Sequence, residues 1–149
     1  ALTFRVSPTN DMKIAKIVGN TILLSKGGLF PSKSIENPIF VIGASASKGL
    51  QIPDKKMFAE SRLQKIATLR DVQVKTTEPV TIGGLDGYES TADALAEGGD
   101  IKMFVYQVML FDADGYYLMQ GIATDGEGKV QLPTMKLIAR SFRKTAAQP

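Results

Sequence analysis

The sequence predicts an α+β domain, an α/β/α sandwich in which a central antiparallel sheet is flanked by helices on both faces. Three observations lead to this fold class. Segment 101–111 is apolar on both alternating sets of side chains, as in a strand covered on both faces. Glycine-containing turns at 97–100 and 112–115 bracket it, so the chain should fold back antiparallel at each end. Amphipathic helical segments lie before and after it, at 55–69 and 131–143.

The first third of the chain predicts short strands joined by turns. Each strand is a run of alternating or continuous apolar residues, and the runs are 2–6, 13–18, 21–25 and 38–44. Gly19 and Asn20 both tolerate positive φ, which favours a tight hairpin between the second and third runs. Residues 26–37 are rich in glycine, serine and proline and predict a loop over one edge.

The remaining elements alternate between helix and strand. Asp54 is placed to cap the first helix, whose apolar stripe is Ala59, Leu63, Ile66 and Leu69. An extended segment at 72–82 contains Pro79, which suits an edge strand. Segments 88–95 and 116–123 flank the central strand and complete an antiparallel meander. The second helix has Pro133 in its first turn, where the missing N–H costs nothing.

Composition limits the class of protein. With 149 residues, 44% hydrophobic, the chain predicts a single domain over 1–149. The net charge is +3 and basic residues are interspersed with acidic ones, so no nucleic-acid groove is predicted. No apolar run approaches the ~20 residues that span a bilayer. Ala1 in place of an initiator methionine suggests signal-peptide removal or trimming, and we expect a secreted or periplasmic protein.

The residues that most enzymes use are missing. The chain has no histidine and no cysteine, which removes the usual general base, the thiol nucleophile and most zinc sites. Ser45 and Lys48 have the Ser-x-x-Lys spacing, but they lie among glycines rather than in a helix. Asp112 and Asp114 begin like a calcium loop, yet its twelfth position is Ala123. The sequence therefore predicts a non-enzymatic protein with no cofactor and no metal.

Three acidic residues leave one catalytic alternative. Asp86, Glu89 and Asp93 lie on or beside one predicted strand, and two of them on one face would form an acid/base pair. A solvated face is the favoured explanation of these residues. A hydrolase using Ser and Lys or paired carboxylates therefore stays as the third hypothesis.

Aromatic and methionine side chains of the meander form the candidate ligand or partner surface. Its members are Tyr88, Phe104, Tyr106, Tyr116, Tyr117 and Met119. Neighbouring strands bring them within cross-strand distance, and the tyrosine hydroxyls need hydrogen-bond partners. Tyr116 and Tyr117 are expected on opposite faces. The competing interpretation is that these side chains fill the core and keep a polar tip at the rim.

Five stretches between Asn37 and Arg143 carry a family resemblance. They are Pro-Ile-Phe-Val at 38–41, the helix at 58–69, Pro-Val-Thr-Ile-Gly-Gly-Leu-Asp-Gly-Tyr at 79–88, Tyr-Gln-Val-Met-Leu-Phe at 106–111 and Leu-Ile-Ala-Arg-Ser-Phe at 137–142. The order of these stretches along the chain and their residues resemble the PsbP-like superfamily, in particular its small secreted bacterial members. The resemblance implies an α/β/α sandwich that works by binding other proteins, and it carries no functional residue across.

Two function hypotheses lead. The first is a secreted or periplasmic, non-enzymatic binding or assembly module with a protein partner. The second is a carrier of a small apolar ligand, held between sheet and helix near Phe104, Tyr106, Tyr116 and Met119, with the small Ala92 and Ala94 leaving room for it.

Overall fold

The computed structural model describes residues 2–28, 38–45, 51–113 and 115–145. Two helices lie in these ranges, α1 (Lys55–Gln64) and α2 (Asp125–Arg140). The strands are β1 (Phe4–Arg5), β2 (Met12–Val18), β3 (Thr21–Lys26), β4 (Ile39–Ala44), β5 (Leu69–Ile82), β6 (Leu85–Ala96), β7 (Lys102–Phe111), β8 (Tyr116–Thr124) and β9 (Arg143–Lys144).

Seven of the strands form one antiparallel sheet in the order β2-β3-β4-β8-β7-β6-β5. The meander β6-β7-β8 and the hairpin at Gly19 and Asn20 are as predicted. β7 is an interior strand and is buried without interruption from Met103 to Leu110, which confirms that both of its faces are covered. β2 and β5 are the two edges, so Pro79 lies on an edge strand as expected.

The predicted α/β/α sandwich is wrong, because the chain is mostly one antiparallel sheet with only two helices in the described ranges. Strands hold 53% of the described residues and helices 20%. On one face the N-terminal segment shares the cover of the sheet with α2, since Phe4 and Val6 belong to the same core cluster as Met135 and Ile138. Among the described residues, α1 contributes Leu63 alone to the buried part of the smaller cluster. The two amphipathic segments therefore do not amount to two helical layers.

The first helix is shorter than predicted. Asp54 caps it as expected, since its Oδ1 accepts a hydrogen bond from the Met57 amide at 3.0 Å. The helix ends at Gln64, and Leu69 instead begins β5, where it pairs with Ala96. Leu63 packs in the cluster that holds Ala92 and Ala94 of β6, so the room left by these alanines is taken by α1.

The second helix is longer than predicted. It begins at Asp125 rather than at Gln131, so Pro133 lies inside it and not in its first turn. A Cβ on Gly128 would lie 2.7 Å from the Cβ of Phe104, so this glycine allows the helix to approach β7 closely. Asp125 and Glu127 in the first turn complement the helix dipole.

The first and last strands of the described chain pair with each other. β1 and β9 form a separate two-stranded sheet in which Phe4 is opposite Lys144 and Arg5 is opposite Arg143. The predicted helix extended to Arg143, which the structure places in β9 instead. The Thr145 amide donates to the Thr3 carbonyl at 2.9 Å. The pairing holds the N-terminal segment over the larger core cluster.

Candidate functional site

Four of the six predicted surface residues lie in the core. Phe104, Tyr106, Tyr117 and Met119 are all buried members of the larger cluster. Around Gly121 of β8 the packing is close enough that an added Cβ would clash with the sulfur of Met135 on α2. The space between sheet and helix at this place is filled by the protein's own side chains.

The remaining two predicted residues lie elsewhere. The Tyr116 ring packs edge-on against Phe58 of α1, with ring centroids 5.3 Å apart. Tyr117 packs instead against Phe142, with centroids 4.9 Å apart, so the two tyrosines point to opposite faces as predicted. Tyr88 lines a shallow groove at one end of the sheet. The six residues do not form one continuous surface.

The carrier hypothesis stays a prediction, and the packing gives it no support. Three grooves among the described residues have volumes of about 610, 700 and 240 Å³. None is lined by Phe104, Tyr106 or Met119, and Tyr116 lines only the smallest. The groove of about 610 Å³ brings together Tyr88, Phe111, Lys55, Asp86 and Asp112. Its cation and its two carboxylates do not favour a single class of ligand.

The most strongly coupled ionisable groups are Glu89, Tyr106 and Arg140. The Tyr106 hydroxyl donates to Glu89 Oε2 at 2.5 Å, and Arg140 donates to Glu89 Oε2 and Oε1 at 2.7 and 3.1 Å. Burial alone would raise the pKa of Glu89, but the bonds from Arg140 and Tyr106 outweigh it and the pKa lies below its ordinary value. Burial and the Glu89 carboxylate raise the pKa of Tyr106, so this phenol stays protonated. These three side chains link α2 to the sheet.

The carboxylates of the predicted acid/base pair lie apart. Glu89 and Asp93 share a face of β6, but four positions along a strand correspond to about 13 Å. This distance is longer than acid/base pairs of carboxylates span. Asp86 points to the other face and accepts a bond from Thr81 at 2.6 Å. The predicted carboxylate pair is therefore not assembled.

The two loop motifs are described only in part. Ser45 Oγ accepts a hydrogen bond from the Tyr116 amide at 3.1 Å, while residues 46–48 of the Ser-x-x-Lys motif lie outside the described residues. Asp112 forms an ion pair with Lys144 at 2.6 Å, which holds the pKa of Asp112 below its ordinary value. Asp114 is also outside the described residues, as are residues 29–37 of the predicted loop. Within the described ranges, no three acidic side chains gather as a metal site would require.

The sequence interpretation predicted β2 as a strand but missed its place at a sheet edge and its exposed apolar side chains. Its side chains Ile14, Ile17 and Val18 are 38%, 51% and 61% exposed, although all are apolar. Among the described residues, β2 pairs with β3 alone, so one side of its backbone is an open sheet edge. Three exposed β-branched side chains on one edge strand are the largest such group in the described part of the chain.

A β-bulge arranges these side chains. Ile14 pairs with Leu24 and Ile17 with Ile22, while Ala15 is an extra residue without a partner in β3. In a regular strand, positions 14 and 17 would point to opposite faces. The extra residue places both isoleucines on the face of the larger core cluster, which Ile22 and Leu24 enter.

The other face of β2 carries two lysines and Val18, which pairs with Thr21. Lys13 pairs with Ser25 and Lys16 with Leu23. Both exposed lysines therefore point to the face of the sheet away from Ile14 and Ile17. A sequence signal existed, since a spacing of three between isoleucines in a strand violates the period of two.

The second edge has a different character. β5 contains Pro79, two register shifts and several charged side chains, and its exposed residues include no large apolar one. These are the features by which edge strands avoid pairing with other chains. β5 is therefore closed to a further strand, and β2 is the candidate interaction surface.

Comparison with solved structures places the fold among bacterial proteins. LpqN of Mycobacterium tuberculosis, which is involved in cell envelope biogenesis, is similar with a TM-score of 0.67 and 16% identity, over 96% of this chain and 83% of that one. PA94 of Pseudomonas aeruginosa, of unknown function and suggested to be a regulator, is similar with a TM-score of 0.61 and 14% identity, over 98% of both chains. A Bacteroides thetaiotaomicron protein follows with a TM-score of 0.56 and 12% identity, over 97% of this chain and 46% of that one.

These likenesses establish the fold alone, because the identities are low. No protein-family model matches the chain, and no curated protein matches it in sequence. The PsbP-like resemblance is therefore not confirmed. Neither helix in the described ranges is long and apolar enough to cross a membrane.

Proposed function

We propose that the chain is a non-enzymatic protein-binding module of the cell envelope, secreted or periplasmic, which holds its partner at β2. The observation that carries the proposal is the exposure of Ile14, Ile17 and Val18 on a strand whose outer side is unpaired in the described part of the chain. Exposed apolar side chains cost free energy in water, and several of them along one edge strand favour an interaction site. Ile14 and Ile17 lie on one face of β2 and Val18 on the other.

The chemistry of the remaining residues supports a binding role. The chain lacks histidine and cysteine. Glu89, Tyr106 and Arg140 satisfy one another and bind α2 to the sheet, so none of them is placed to act on a substrate. The involvement of LpqN in cell envelope biogenesis supports the location.

Site-specific photocrosslinking in the host cell tests the proposal. A photoreactive amino acid replaces Ile17 on β2 or, as the control, the exposed Glu78 on β5. We expect one discrete protein adduct from position 17 and none from position 78. Equal adducts from both positions, or none from either, would refute binding at β2.

The location is tested separately by cell fractionation. The chain expressed from its full gene should be recovered with the periplasm or the medium. Recovery in the cytoplasm would contradict the envelope assignment and leave the binding role to be judged by the crosslinks.

A further inference from the structure

We propose that Arg5 and Arg143 together form a binding site for a phosphomonoester group, where the first and last strands of the described chain pair. The two guanidinium groups donate hydrogen bonds to the phosphate oxygens. The site is separate from β2, and it stands or falls independently of the proposed function.

The register of β1 and β9 places the two arginines side by side. Arg5 is directly opposite Arg143 in this antiparallel pair, so their Cα atoms lie about 4.5 to 5.5 Å apart. Side chains directly opposite each other point to the same face of a sheet. Phe4 and Val6, which flank Arg5, are buried, so the two arginines share the outer face, and both are exposed.

Hydrogen bonds on both sides of the pair hold the two backbones in this register. The Thr145 amide donates to the Thr3 carbonyl at 2.9 Å. The Ser7 amide donates to Ser141 Oγ at 2.7 Å. The fold therefore brings the two guanidinium groups together before a ligand binds, which lowers the entropy lost on binding.

This arrangement gathers positive charge without a counterion. Like charges directly opposite each other on neighbouring strands are destabilising. No ion pair in the described part of the chain includes Arg5 or Arg143. The nearby cations Arg140 and Lys144 each contact a carboxylate, at 2.7 and 2.6 Å respectively. The uncompensated charge of this region therefore belongs to Arg5 and Arg143.

Arg143 keeps donors for a ligand although part of its side chain is engaged. Its Nη1 donates to the carbonyls of Arg140 and Phe142 at 3.1 and 2.6 Å. These bonds occupy the two N–H groups of Nη1 and orient the guanidinium plane. The three N–H groups on Nε and Nη2 take no part in them and remain for the oxygens of a ligand.

Two adjacent guanidinium groups match a doubly charged group better than a singly charged one. A phosphomonoester carries close to two negative charges at pH 7 and has three strong acceptor oxygens. The planar donor fork of arginine fits phosphate oxygens in a bidentate manner. A carboxylate or a phosphodiester carries one charge and would leave one arginine uncompensated. The charge count therefore favours the phosphomonoester.

Binding at this site also affects the fold. The phosphate bonds one arginine from β1 and one from β9, so attraction to a shared anion replaces the repulsion between the two strands. A ligand that binds only the folded chain stabilises it. Occupation of the site should therefore strengthen the pairing of β1 with β9.

NMR titration of ¹⁵N-labelled protein with methyl phosphate and with dimethyl phosphate, at constant ionic strength, tests the site. The two probes share the phosphate group and differ by one charge. We expect methyl phosphate to shift the amide signals of residues 4–6 and 142–144 and to bind about tenfold more tightly than dimethyl phosphate. Equal affinities, or shifts centred elsewhere on the chain, overturn the inference.

A charge-removing variant provides the matched comparison. Arg5→Gln leaves the buried Phe4 in place, and its affinity for methyl phosphate should fall about tenfold, as expected for loss of a charge-assisted hydrogen bond. Lys56→Gln removes an exposed charge from α1 and should keep the wild-type affinity. An unchanged affinity in Arg5→Gln, or equal losses in both variants, would overturn the site.

The melting temperature gives a second readout. Because Arg5→Gln removes the repulsion with Arg143, this variant should melt no lower than wild type without ligand. Saturating methyl phosphate should raise the melting temperature of wild type but not that of the variant. A variant that melts below wild type without ligand would show that Arg5 has a structural role, which contradicts the inference.

Vesicles distinguish two sources of the phosphomonoester. The protein is sedimented with phosphatidylcholine vesicles that contain phosphatidic acid, whose headgroup is a phosphomonoester. Cosedimentation that is lost in Arg5→Gln assigns the site to a lipid headgroup. Binding of methyl phosphate without cosedimentation assigns it to a soluble phosphomonoester. Either result supports the site, and failure of both probes overturns it.

Discussion

Arg140 near the end of α2 holds both carboxylate oxygens of Glu89 on β6, at 2.7 and 3.1 Å. Residues 51 positions apart in sequence thus join helix to sheet. The Glu89 side chain is 11% exposed and that of Arg140 is 46% exposed, so the pair lies at the border of the core. It is stronger than a surface ion pair because Tyr106 donates to the same carboxylate from within the core.

Replacing Glu89 by glutamine should destabilise the fold. Glu89→Gln keeps the shape but removes the charge that Arg140 and Tyr106 bind, and we expect the free energy of unfolding at neutral pH to fall by about 1 to 2 kcal/mol. Urea unfolding followed by circular dichroism measures this difference. Glu97→Gln, in an exposed turn, is the control and should change the free energy by less than about 0.5 kcal/mol.

The same carboxylate predicts acid sensitivity. The pKa of Glu89 lies below its ordinary value of 4.5, so the folded protein binds this proton less tightly than the unfolded chain. Its contribution to stability is complete well above that value and is lost as the pH falls through the folded pKa. Urea midpoints measured from about pH 7 to about pH 3 should therefore fall more steeply for wild type than for Glu89→Gln. Equal slopes would contradict the assignment.

A buried amide connects α1, β7 and β8. Gln107 Nε2 donates to the Ala59 carbonyl at 2.7 Å, and Gln107 Oε1 accepts from Gln120 at 2.8 Å. Gln107→Leu removes the acceptor of the half-buried Gln120 amide and should cost about 1 to 3 kcal/mol. The double variant Gln107→Leu/Gln120→Leu should recover part of this loss. Strictly additive losses in unfolding measurements would mean that the two amides do not interact.

Two glycines of α2 should respond oppositely to alanine. A Cβ at Gly128 would lie 2.7 Å from the Cβ of Phe104, so Gly128→Ala should push the helix from β7 and lower the melting temperature. A Cβ at Gly126 would meet nothing within 4 Å, so Gly126→Ala should stabilise by about 0.5 kcal/mol through helix propensity. Calorimetry measures the melting temperatures of the two variants. If both variants are less stable than wild type, the contrast between Gly128 and Gly126 is wrong.

Ile17 and Ile22 pair on neighbouring strands but differ in their exposure to solvent. They lie directly opposite in the register of β2 and β3, yet Ile17 is 51% exposed and Ile22 is 2% exposed. Ile17→Thr should leave the free energy of unfolding within about 0.5 kcal/mol of wild type, whereas Ile22→Thr should cost about 2 kcal/mol or more. If Ile17→Thr destabilises the chain as much as Ile22→Thr, Ile17 belongs to the core and not to a binding surface.

Local patterns predicted much of the fold. The apolar run of β7, the Gly19-Asn20 turn, the Asp54 cap and Pro79 at an edge each depend on a few neighbouring residues, and each is present. The length of α2 was not predictable in this way, because Gly128 is favoured by the approach of Phe104 from another element. The sandwich prediction failed because it counted two amphipathic segments as two helical layers. In the described residues the N-terminal segment shares one face with α2, and α1 adds only Leu63 to the buried part of the smaller cluster.

The candidate site was predicted less well than the fold. Aromatic and methionine side chains such as Tyr106 and Met119 are used in cores and on surfaces alike, and their type alone does not distinguish the two. The exposure of Ile14 and Ile17 depends on the bulge at Ala15 and on the place of β2 at the sheet edge, which are set by long-range pairing.

Hydrogen–deuterium exchange of the protein with and without its crosslinked partner tests the role of β2 most directly. Binding of the partner at β2 predicts slower exchange in residues 12–18, because the partner covers this strand, with no change along 69–82 on the opposite edge. Protection at the outer face of α2 or in the groove beside Tyr88, with β2 unchanged, would contradict the account.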